Sequence, residues 1–353
     1  MNPNISYQQP HTSFKLEAVF YDNTGLSSLA EQMSSEGEDF QVSLGIFISK
    51  WVDSSTEIEL QTSGSTGTPK KVLMSKQAMV NSAIATGSYF KLKPGDAALS
   101  CLPFEYIAAK MMFVRAYVLG LELSCIKPSS NPLETTSKTY DFCAMVPLQL
   151  ENSIAYLKFI KTLIVGGAPL SNSLKSKLHK SPTEIYETFG MTETVSHIAV
   201  KNIHEPTSLF EVLPSISVGI DARNCLTIHA PHIASSPIQT NDVVKLSSST
   251  AFEWLGRYDT IINSGGIKIA PEHLEQQLEG FIKERFFITA QKDDFLGEIV
   301  VIVIERSTPY ETLNFDSLES IKRPKRIYYV DRFKETVSGK IKRRETFELI
   351  KPE

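Results

Sequence analysis

Short apolar runs alternate along this chain with longer segments in which apolar residues recur at helical intervals. Residues 75–90 and 108–119 follow the helical pattern, and glycine or proline comes soon after each segment. Residues 98–102, 142–146 and 162–165 are short apolar runs bounded by proline or glycine, which is typical of buried strands. Alternating strands and helices predict an α/β fold with layers around a largely parallel sheet.

A second pattern begins in the last third of the chain. A strand at 260–262 and a glycine turn precede a helix that starts at Pro271, and another strand follows at 299–304. The length of 353 residues also favours more than one core. We therefore predict a large layered α/β domain at 1–255 and a small α+β domain at 256–353.

Composition and charge exclude several classes of protein. The net charge of −4 gives no overall attraction to nucleic acid, although residues 322–344 are rich in lysine and arginine. The most apolar run, 107–123, contains Lys110 and Arg115, so we expect no membrane span. The start of the chain lacks the pattern of a signal peptide. The four cysteines lack metal-ligand spacing, which predicts reduced thiols in a cytoplasmic protein.

The first candidate for chemistry is a polar loop at residues 62–71, which reads TSGSTGTPKK. Glycines allow backbone N–H groups to approach a ligand closely, and hydroxyls and lysines donate to phosphate oxygens. The spacing differs from that of the Walker A loop. The loop favours nucleotide phosphate binding, and a solvated hairpin turn is the alternative.

The second candidate is the segment 186–194, which reads YETFGMTET. The ring of Phe189 offers a flat surface on which a base can stack. Thr192 and Glu193 add a hydroxyl and a carboxylate, which suit phosphates and Mg²⁺. The alternative is an ordinary capped start of a helix.

Two further segments extend the series. Asp242 lies upstream of GRYD at 256–259, and a carboxylate with a nearby arginine can hold the ribose hydroxyls. TVSGKI at 336–341 places Lys340 on a loop of small residues, from which its charge can reach a cleft. Alone, Asp242 is also compatible with a turn and Lys340 with a solvated surface lysine.

In this order, and with GGAPL at 166–170, these segments resemble the acyl-adenylate-forming superfamily of acyl-CoA synthetases, adenylation domains and luciferases. The resemblance covers about residues 60–344. It implies the fold of that superfamily, shortened at the N-terminus because only residues 1–61 precede the loop. It also implies a mobile C-terminal domain with a hinge at Asp259, and the use of ATP, Mg²⁺ and CoA.

The resemblance implies a role for each matched residue. The residues at the nucleotide would be Ser63, Thr66 and Lys70 on the phosphate loop, Gly167, Ala168 and Phe189 at the adenine, Thr192 at phosphate, and Asp242 and Arg257 at the ribose. The catalytic residues would be Lys340, Thr66 and Glu193, with Glu193 also holding Mg²⁺.

The acid substrate is indicated by the segment 102–115, which reads LPFEYIAAKMMFVR. It is similar to the substrate segment of the o-succinylbenzoate–CoA ligases of menaquinone synthesis. That resemblance implies that Arg115, Lys110 and Ser196 contact a dicarboxylic acid. The alternative is that Arg115 is a snorkelling or ion-paired helix residue.

The chain departs from the superfamily at several positions. The departures are Phe189 for a more frequent tyrosine, Asn241 for glycine, Tyr106 for histidine, Ala109 for glycine, and Lys334 and Glu335 for the usual proline and basic residue. None of them removes a charged catalytic group, and Ala109 is expected to narrow the acid pocket.

Three other interpretations remain open at the level of sequence. The chain could be another acid–CoA ligase or a free-standing adenylation enzyme, with Glu105 available to pair with the amine of an amino acid. It could be a degenerate nucleotide binder without catalysis. The basic segment alone suggests a nucleic-acid module, which is the weakest of the three. We expect a small-molecule carboxylic acid as the partner, no nucleic acid, and an open oligomeric state with a homodimer as one option.

Overall fold

Two sheets, one hairpin and their covering helices make up the computed structural model, which describes residues 5–61, 71–207, 209–310, 312–335 and 341–350. The helices are α1 (Asn23–Glu36), α2 (Asp39–Val52), α3 (Lys76–Phe90), α4 (Ile107–Leu119), α5 (Pro147–Asn152), α6 (Asn172–Leu178), α7 (Pro271–Leu278) and α8 (Arg343–Glu348).

The strands follow the same chain order. They are β1 (Lys15–Leu16), β2 (Glu57–Gln61), β3 (Lys71–Ser75), β4 (Ala97–Ser100), β5 (Glu122–Cys125), β6 (Tyr140–Met145), β7 (Ile160–Val165), β8 (Glu184–Gly190), β9 (His197–Asn202), β10 (Leu209–Val212), β11 (Ser217–Ile220), β12 (Cys225–His229), β13 (Ile238–Ser248), β14 (Ala251–Arg257), β15 (Ile262–Ser264), β16 (Ile267–Ile269), β17 (Phe286–Asp293), β18 (Gly297–Glu305) and β19 (Arg326–Val330).

The large sheet has twelve strands in the order β1-β5-β4-β6-β7-β8-β9-β10-β14-β13-β12-β11. Every pair from β1 to β8 is parallel, and every pair from β8 to β11 is antiparallel. The prediction of a largely parallel sheet is therefore wrong for the second half. Between β8 and β14 the described chain contains no α-helix, and parallel pairing needs a long crossover that a helix usually supplies.

The predicted helices and strands of the parallel half are confirmed. Helix α3 begins after Ser75, whose hydroxyl accepts from the backbone N–H of Ala78 at 3.4 Å. Helix α4 ends at Gly120, which has a φ of 77° in the left-handed region. Strands β4, β6 and β7 lie at or within one or two residues of the predicted apolar runs. Glycine and proline thus mark the ends of these elements as the sequence indicates.

Aromatic packing joins α2, α4 and the N-terminal segment into the largest core. Phe47 and Trp51 of α2 pack against Phe113 and Tyr117 of α4, with ring centroids 5.6 Å apart for Phe47 and Phe113. Phe14 contacts the same two rings of α4. Helix α3 and strands β4 and β6 also lie against α4, so the helix is enclosed and a charged residue in it, Arg115, is buried.

The last part of the chain forms a separate five-stranded sheet of β16-β15-β18-β17, with β19 beside β18. Helix α7 begins at Pro271 as predicted, whereas the strand expected at 260–262 begins at Ile262. Strand β17 was not predicted. The large sheet ends at Arg257, close to the predicted division of 1–255 from 256–353, which stays a prediction.

The sequence predicted no membrane span and reduced cysteines. Across the described ranges, no helix is long and apolar enough to cross a membrane. The cysteines are free thiols, three of them buried and Cys125 half-buried.

Candidate active site

The carboxyl ends of β7 and β8 bring two predicted adenine segments together. These strands are parallel, with Val165 opposite Glu187, so the residues after β7 lie beside the end of β8. Gly167 and Ala168 follow β7 and are exposed, and Gly167 has a φ of 91°. At Gly166 a Cβ would lie 2.6 Å from Oγ1 of Thr188, so only glycine allows this close approach.

Phe189 is held in place by other aromatic rings. Its centroid is 5.2 Å from that of Phe252 and 5.8 Å from that of Phe210. The residue is half-buried and lies near the carboxyl end of β8, the end at which Gly167 and Ala168 follow the neighbouring β7. Core packing therefore fixes the ring that we predicted to stack on adenine.

A tight turn follows β8 and carries Thr192 and Glu193. It is a capped 3₁₀ turn over Thr192–Thr194, in which the backbone N–H of Met191 donates to Oγ1 of Thr194 at 3.0 Å, and no α-helix follows it. The turn closes at Val195, whose φ of 67° is rare for a β-branched residue. The backbone N–H of Ser196 then donates to the carbonyl of Thr194 at 2.7 Å.

Gly190 allows this turn to fold back on β8. A Cβ at this position would lie 2.5 Å from both the Cα of His197 and the carbonyl oxygen of Ser196. The contact that demands glycine is therefore with the residues at the start of β9, Ser196 and His197, which lie toward α4.

Arg115 meets these two residues inside the protein. Its side chain is 2% exposed. Nη2 donates to Oγ of Ser196 at 2.6 Å and lies 3.4 Å from Nδ1 of His197, while Nη1 contacts the sulfur of Met112 at 3.7 Å. Nε has no hydrogen-bond partner in the described part of the chain. The structure thus joins Arg115 and Ser196, two residues that the sequence assigned to the acid.

The electrostatics of Arg115 contradict both alternative interpretations of this residue. A snorkelling arginine would expose its guanidinium, which is buried here. An ion-paired arginine would have a carboxylate nearby, and none of the ion pairs between described residues includes Arg115. Burial lowers the pKa of Arg115 from the ordinary arginine value to about 9, which still leaves the group charged at neutral pH.

Lys110 lies apart from this pair. Its Nζ donates to the carbonyl of Glu105 at 2.8 Å, and burial lowers its pKa. Five positions separate it from Arg115, which places the two side chains on different sides of α4. No hydrogen bond among the described residues connects Lys110 with Arg115 or Ser196, so the three predicted acid contacts are not all brought together.

The predicted ribose residues are neighbours on β13 and β14. Asp242 and Arg257 are cross-strand partners, and Nη1 of Arg257 is 3.9 Å from Oδ2 of Asp242. Asp242 is 6% exposed and belongs to a strand, so the alternative of a simple turn residue is wrong. Arg257 also donates through Nε to Oδ1 of Asp259 at 3.1 Å, which connects the predicted hinge to the same cluster.

Trp254 orients Asp242. Its indole Nε1 donates to Oδ1 of Asp242 at 3.0 Å. Burial raises the pKa of Asp242, whereas this hydrogen bond and the charge of Arg257 lower it. Sequence reasoning missed Trp254, because nothing in its local pattern distinguishes a positioning indole from an ordinary core aromatic.

Four predicted residues lie outside the described part of the structure: Ser63, Thr66, Lys70 and Lys340. Their flanking residues are described. Gln61 pairs with Lys71 at the end of the β2–β3 hairpin, and Glu335 forms an antiparallel bridge with Ile341. The roles of the four residues stay predictions.

Known proteins resemble this chain over most of its length. The family model of AMP-binding enzymes matches residues 60–223. An acyl-CoA synthetase (AMP-forming)/AMP-acid ligase II-like protein from Dyadobacter fermentans is 35% identical, and the match covers 92% of this chain and 98% of that protein with a TM-score of 0.62. The chain belongs to the family of AMP-forming acyl-CoA synthetases and AMP-acid ligases.

More distant members of this family are also similar. A 2-succinylbenzoate–CoA ligase from Geobacillus sp. (strain WCH70) is 24% identical over 82% of this chain and 68% of that protein. The o-succinylbenzoate CoA synthetase from Bacillus subtilis, solved with the acyl-adenylate intermediate, is 18% identical with a TM-score of 0.71, over 81% of this chain and 68% of that one. The latter likeness shows that the fold is shared.

The residues of this family member fit a magnesium ion at Glu193. The carboxylate is exposed on the turn after β8, next to the hydroxyl of Thr192. Among the described residues, no group of three or more His, Cys, Asp or Glu forms a metal cage. A single carboxylate is what Mg²⁺ uses when phosphates and water supply its other ligands.

Proposed function

We propose that this protein is an ATP-dependent acid–CoA ligase whose substrate is an aromatic dicarboxylic acid of the 2-succinylbenzoate kind. The observation that carries the acid class is the buried guanidinium of Arg115 beside Ser196. Relatives that are named 2-succinylbenzoate–CoA ligase support the same assignment.

The charge of Arg115 is the physical reason for a second carboxylate. A buried cation is costly unless a partner neutralises it and accepts its hydrogen bonds. The described chain provides only neutral acceptors, a hydroxyl, an imidazole and a thioether. A dicarboxylic acid can have one carboxylate activated while the other binds Arg115 in a charge-assisted hydrogen bond.

The reaction would proceed in two displacements. In the first, an oxygen of the reacting carboxylate attacks the α-phosphorus of ATP, and pyrophosphate leaves. In the second, the thiolate of CoA attacks the carbonyl carbon of the acyl-adenylate, and AMP leaves. Two half-reactions at one site need two arrangements of the protein, for which the proposed hinge at Asp259 would serve.

Each residue of the site would have a defined task in these steps. Phe189, Gly167 and Ala168 would bind the adenine, and Asp242 and Arg257 would hold the ribose. Lys340 would stabilise the negative charge that develops on the phosphate in the first step. Glu193 would hold Mg²⁺, which would neutralise charge on the phosphate oxygens.

The test is pyrophosphate release from ATP and Mg²⁺ with a panel of acids, with and without CoA. The panel contains 2-succinylbenzoate, benzoate, fatty acids and amino acids. We expect release with 2-succinylbenzoate and a CoA thioester only when CoA is present. Release with a monocarboxylic acid alone would keep the ligase and reject the dicarboxylate. No release with any acid, despite measurable ATP binding, would contradict the ligase.

A further inference from the structure

His197 is a buried imidazole between α3 and α4 that the proposed chemistry does not use directly. It is 7% exposed. Nδ1 lies 3.4 Å from Nη2 of Arg115 and 3.2 Å from Oγ of Ser196, and Nε2 lies 3.5 Å from Oγ1 of Thr86. Its pKa is well below the ordinary value of 6.5, first because of burial and then because of the charge of Arg115. The ring is therefore neutral at neutral pH.

The groups around His197 favour a proton on Nε2 rather than on Nδ1, because the guanidinium of Arg115 beside Nδ1 can only donate. The hydroxyl of Thr86 donates to the carbonyl of Ser82 at 3.0 Å, so its oxygen remains an acceptor. A proton on Nε2 of His197 suits this acceptor, which lies 3.5 Å away. Nδ1 carries no proton in that tautomer, so it can accept from Nη2 of Arg115 at 3.4 Å and from the hydroxyl of Ser196 at 3.2 Å.

We propose that His197 is a positioning residue for the acid: its neutral Nδ1 accepts from Arg115 and, with Ser196, fixes the guanidinium so that Nε–H faces the second carboxylate. This inference rests on the proposed function. The two acceptors bind the same terminal nitrogen of Arg115, which restrains rotation of the planar group. Nε–H is the donor that no described residue satisfies.

The backbone around His197 is built to hold this arrangement. Val195, with its φ of 67°, directs the next two residues toward α4. Such strain persists only where surrounding contacts enforce it, and it is common at functional sites. Gly190 leaves room for the Cα of His197 at a distance that any Cβ would block. A histidine that merely filled the core would need neither the tautomer nor the contact with the guanidinium.

The experiment compares acid selectivity in variants of the full chain. The readout is the ratio of kcat/KM for 2-succinylbenzoate to kcat/KM for a monocarboxylate analogue. The analogues are 4-phenyl-4-oxobutanoate and 2-butyrylbenzoate, each of which lacks one of the two carboxylates. His197→Leu removes the acceptor, and we expect the ratio to fall about tenfold, which equals about 1.4 kcal/mol. His197→Asn keeps an oxygen acceptor near the position of Nδ1, and its ratio should stay within about threefold of the wild type.

Thr86→Val provides a second variant that contacts only the far side of the imidazole. It removes the acceptor that holds the proton on Nε2, so the ratio should fall about threefold while KM for ATP stays unchanged. In the wild-type protein, ¹⁵N NMR of labelled histidine should show Nδ1 without a proton at pH 7. This measurement does not depend on activity or on the folding of His197→Leu.

The outcomes separate this inference from the proposed function. If the wild type prefers the dicarboxylate and Arg115→Met abolishes the preference, the acid assignment stands. An unchanged ratio in both His197→Leu and Thr86→Val, or a proton on Nδ1, would then overturn the role of His197 alone. A wild type with no preference for the dicarboxylate would overturn both proposals.

Discussion

Replacement of Arg115 by methionine should make the ligand-free protein more stable while it removes binding of the dicarboxylic acid. Methionine has a similar length and suits the apolar surroundings of α4. Burial lowers the pKa of Arg115 from the ordinary arginine value to about 9. A lowered pKa of a base means that the folded state disfavours the charged form. The free-energy penalty for the charge is therefore fully present at pH 7, which lies below the pKa of the group in both the folded and the unfolded state.

The magnitude can be worked from the same contacts. At 1.36 kcal/mol per pKa unit, the shift corresponds to about 5 kcal/mol that the charged group costs the folded state. The variant also loses the hydrogen bonds to Ser196 and His197, and each loss offsets roughly 1 kcal/mol of the gain in stability. The expected net gain in the free energy of unfolding is about 1–3 kcal/mol, as found when apolar residues replace buried charges.

The assay is urea unfolding followed by tryptophan fluorescence. Trp51 lies in the core with its ring 5.7 Å from Tyr117 of α4, so its emission reports on the domain that contains Arg115. Arg344→Met is the matched control, because that side chain is 92% exposed and should change stability by less than about 0.5 kcal/mol. Addition of 2-succinylbenzoate should stabilise the wild type and leave Arg115→Met unchanged.

The sign of the change in the free energy of unfolding distinguishes an unpaired Arg115 from one that is paired within the protein. If Arg115→Met lowers the free energy of unfolding by about 3 kcal/mol, Arg115 behaves as one partner of a buried ion pair. Its carboxylate would then come from the protein itself, and the inference of a second substrate carboxylate would be refuted.

Three further predictions concern Asp242, Gly190 and Lys340. Asp242→Asn should raise KM for ATP about tenfold or more, because it removes a charged acceptor from the ribose, and an unchanged KM would reject that role. Gly190→Ala should lower the free energy of unfolding by about 1–3 kcal/mol in urea titrations, since its Cβ would lie 2.5 Å from His197; stability equal to the wild type would show that the turn after β8 gives way freely. Lys340→Ala should lose acyl-adenylate formation but keep thioester formation from synthetic acyl-adenylate, and equal loss in both assays would contradict its assignment to the first step.

Much of the parallel half of the fold could be predicted from sequence because its signals are local. Ser75 caps α3 through its hydroxyl and Gly120 ends α4 through its left-handed backbone, and both effects involve only residues that are close in sequence. The antiparallel half could not be predicted in the same way, since strand direction depends on which strands the chain pairs after β8. The strand β17 was missed for a related reason: it is defined by its partner β18 along its whole length.

In the candidate site, too, local motifs could be predicted from sequence, whereas contacts between distant residues could not. The sequence by itself determined the family, through the loop at 62–71, the segment at 186–194 and the motif at 256–259, because each of these motifs is a short, contiguous stretch of the chain. It also indicated Asp242 and Arg257, but not that Trp254 orients the carboxylate.

Only the tertiary structure decided what surrounds Arg115. Its partner Ser196 is 81 positions away along the chain and His197 is 82, and the β8–β9 turn brings both to α4. Whether a buried charge has a counter-ion is a property of three-dimensional neighbours, which no local pattern records. The free energy of that charge, and hence the case for a second carboxylate, comes from packing rather than from sequence motifs.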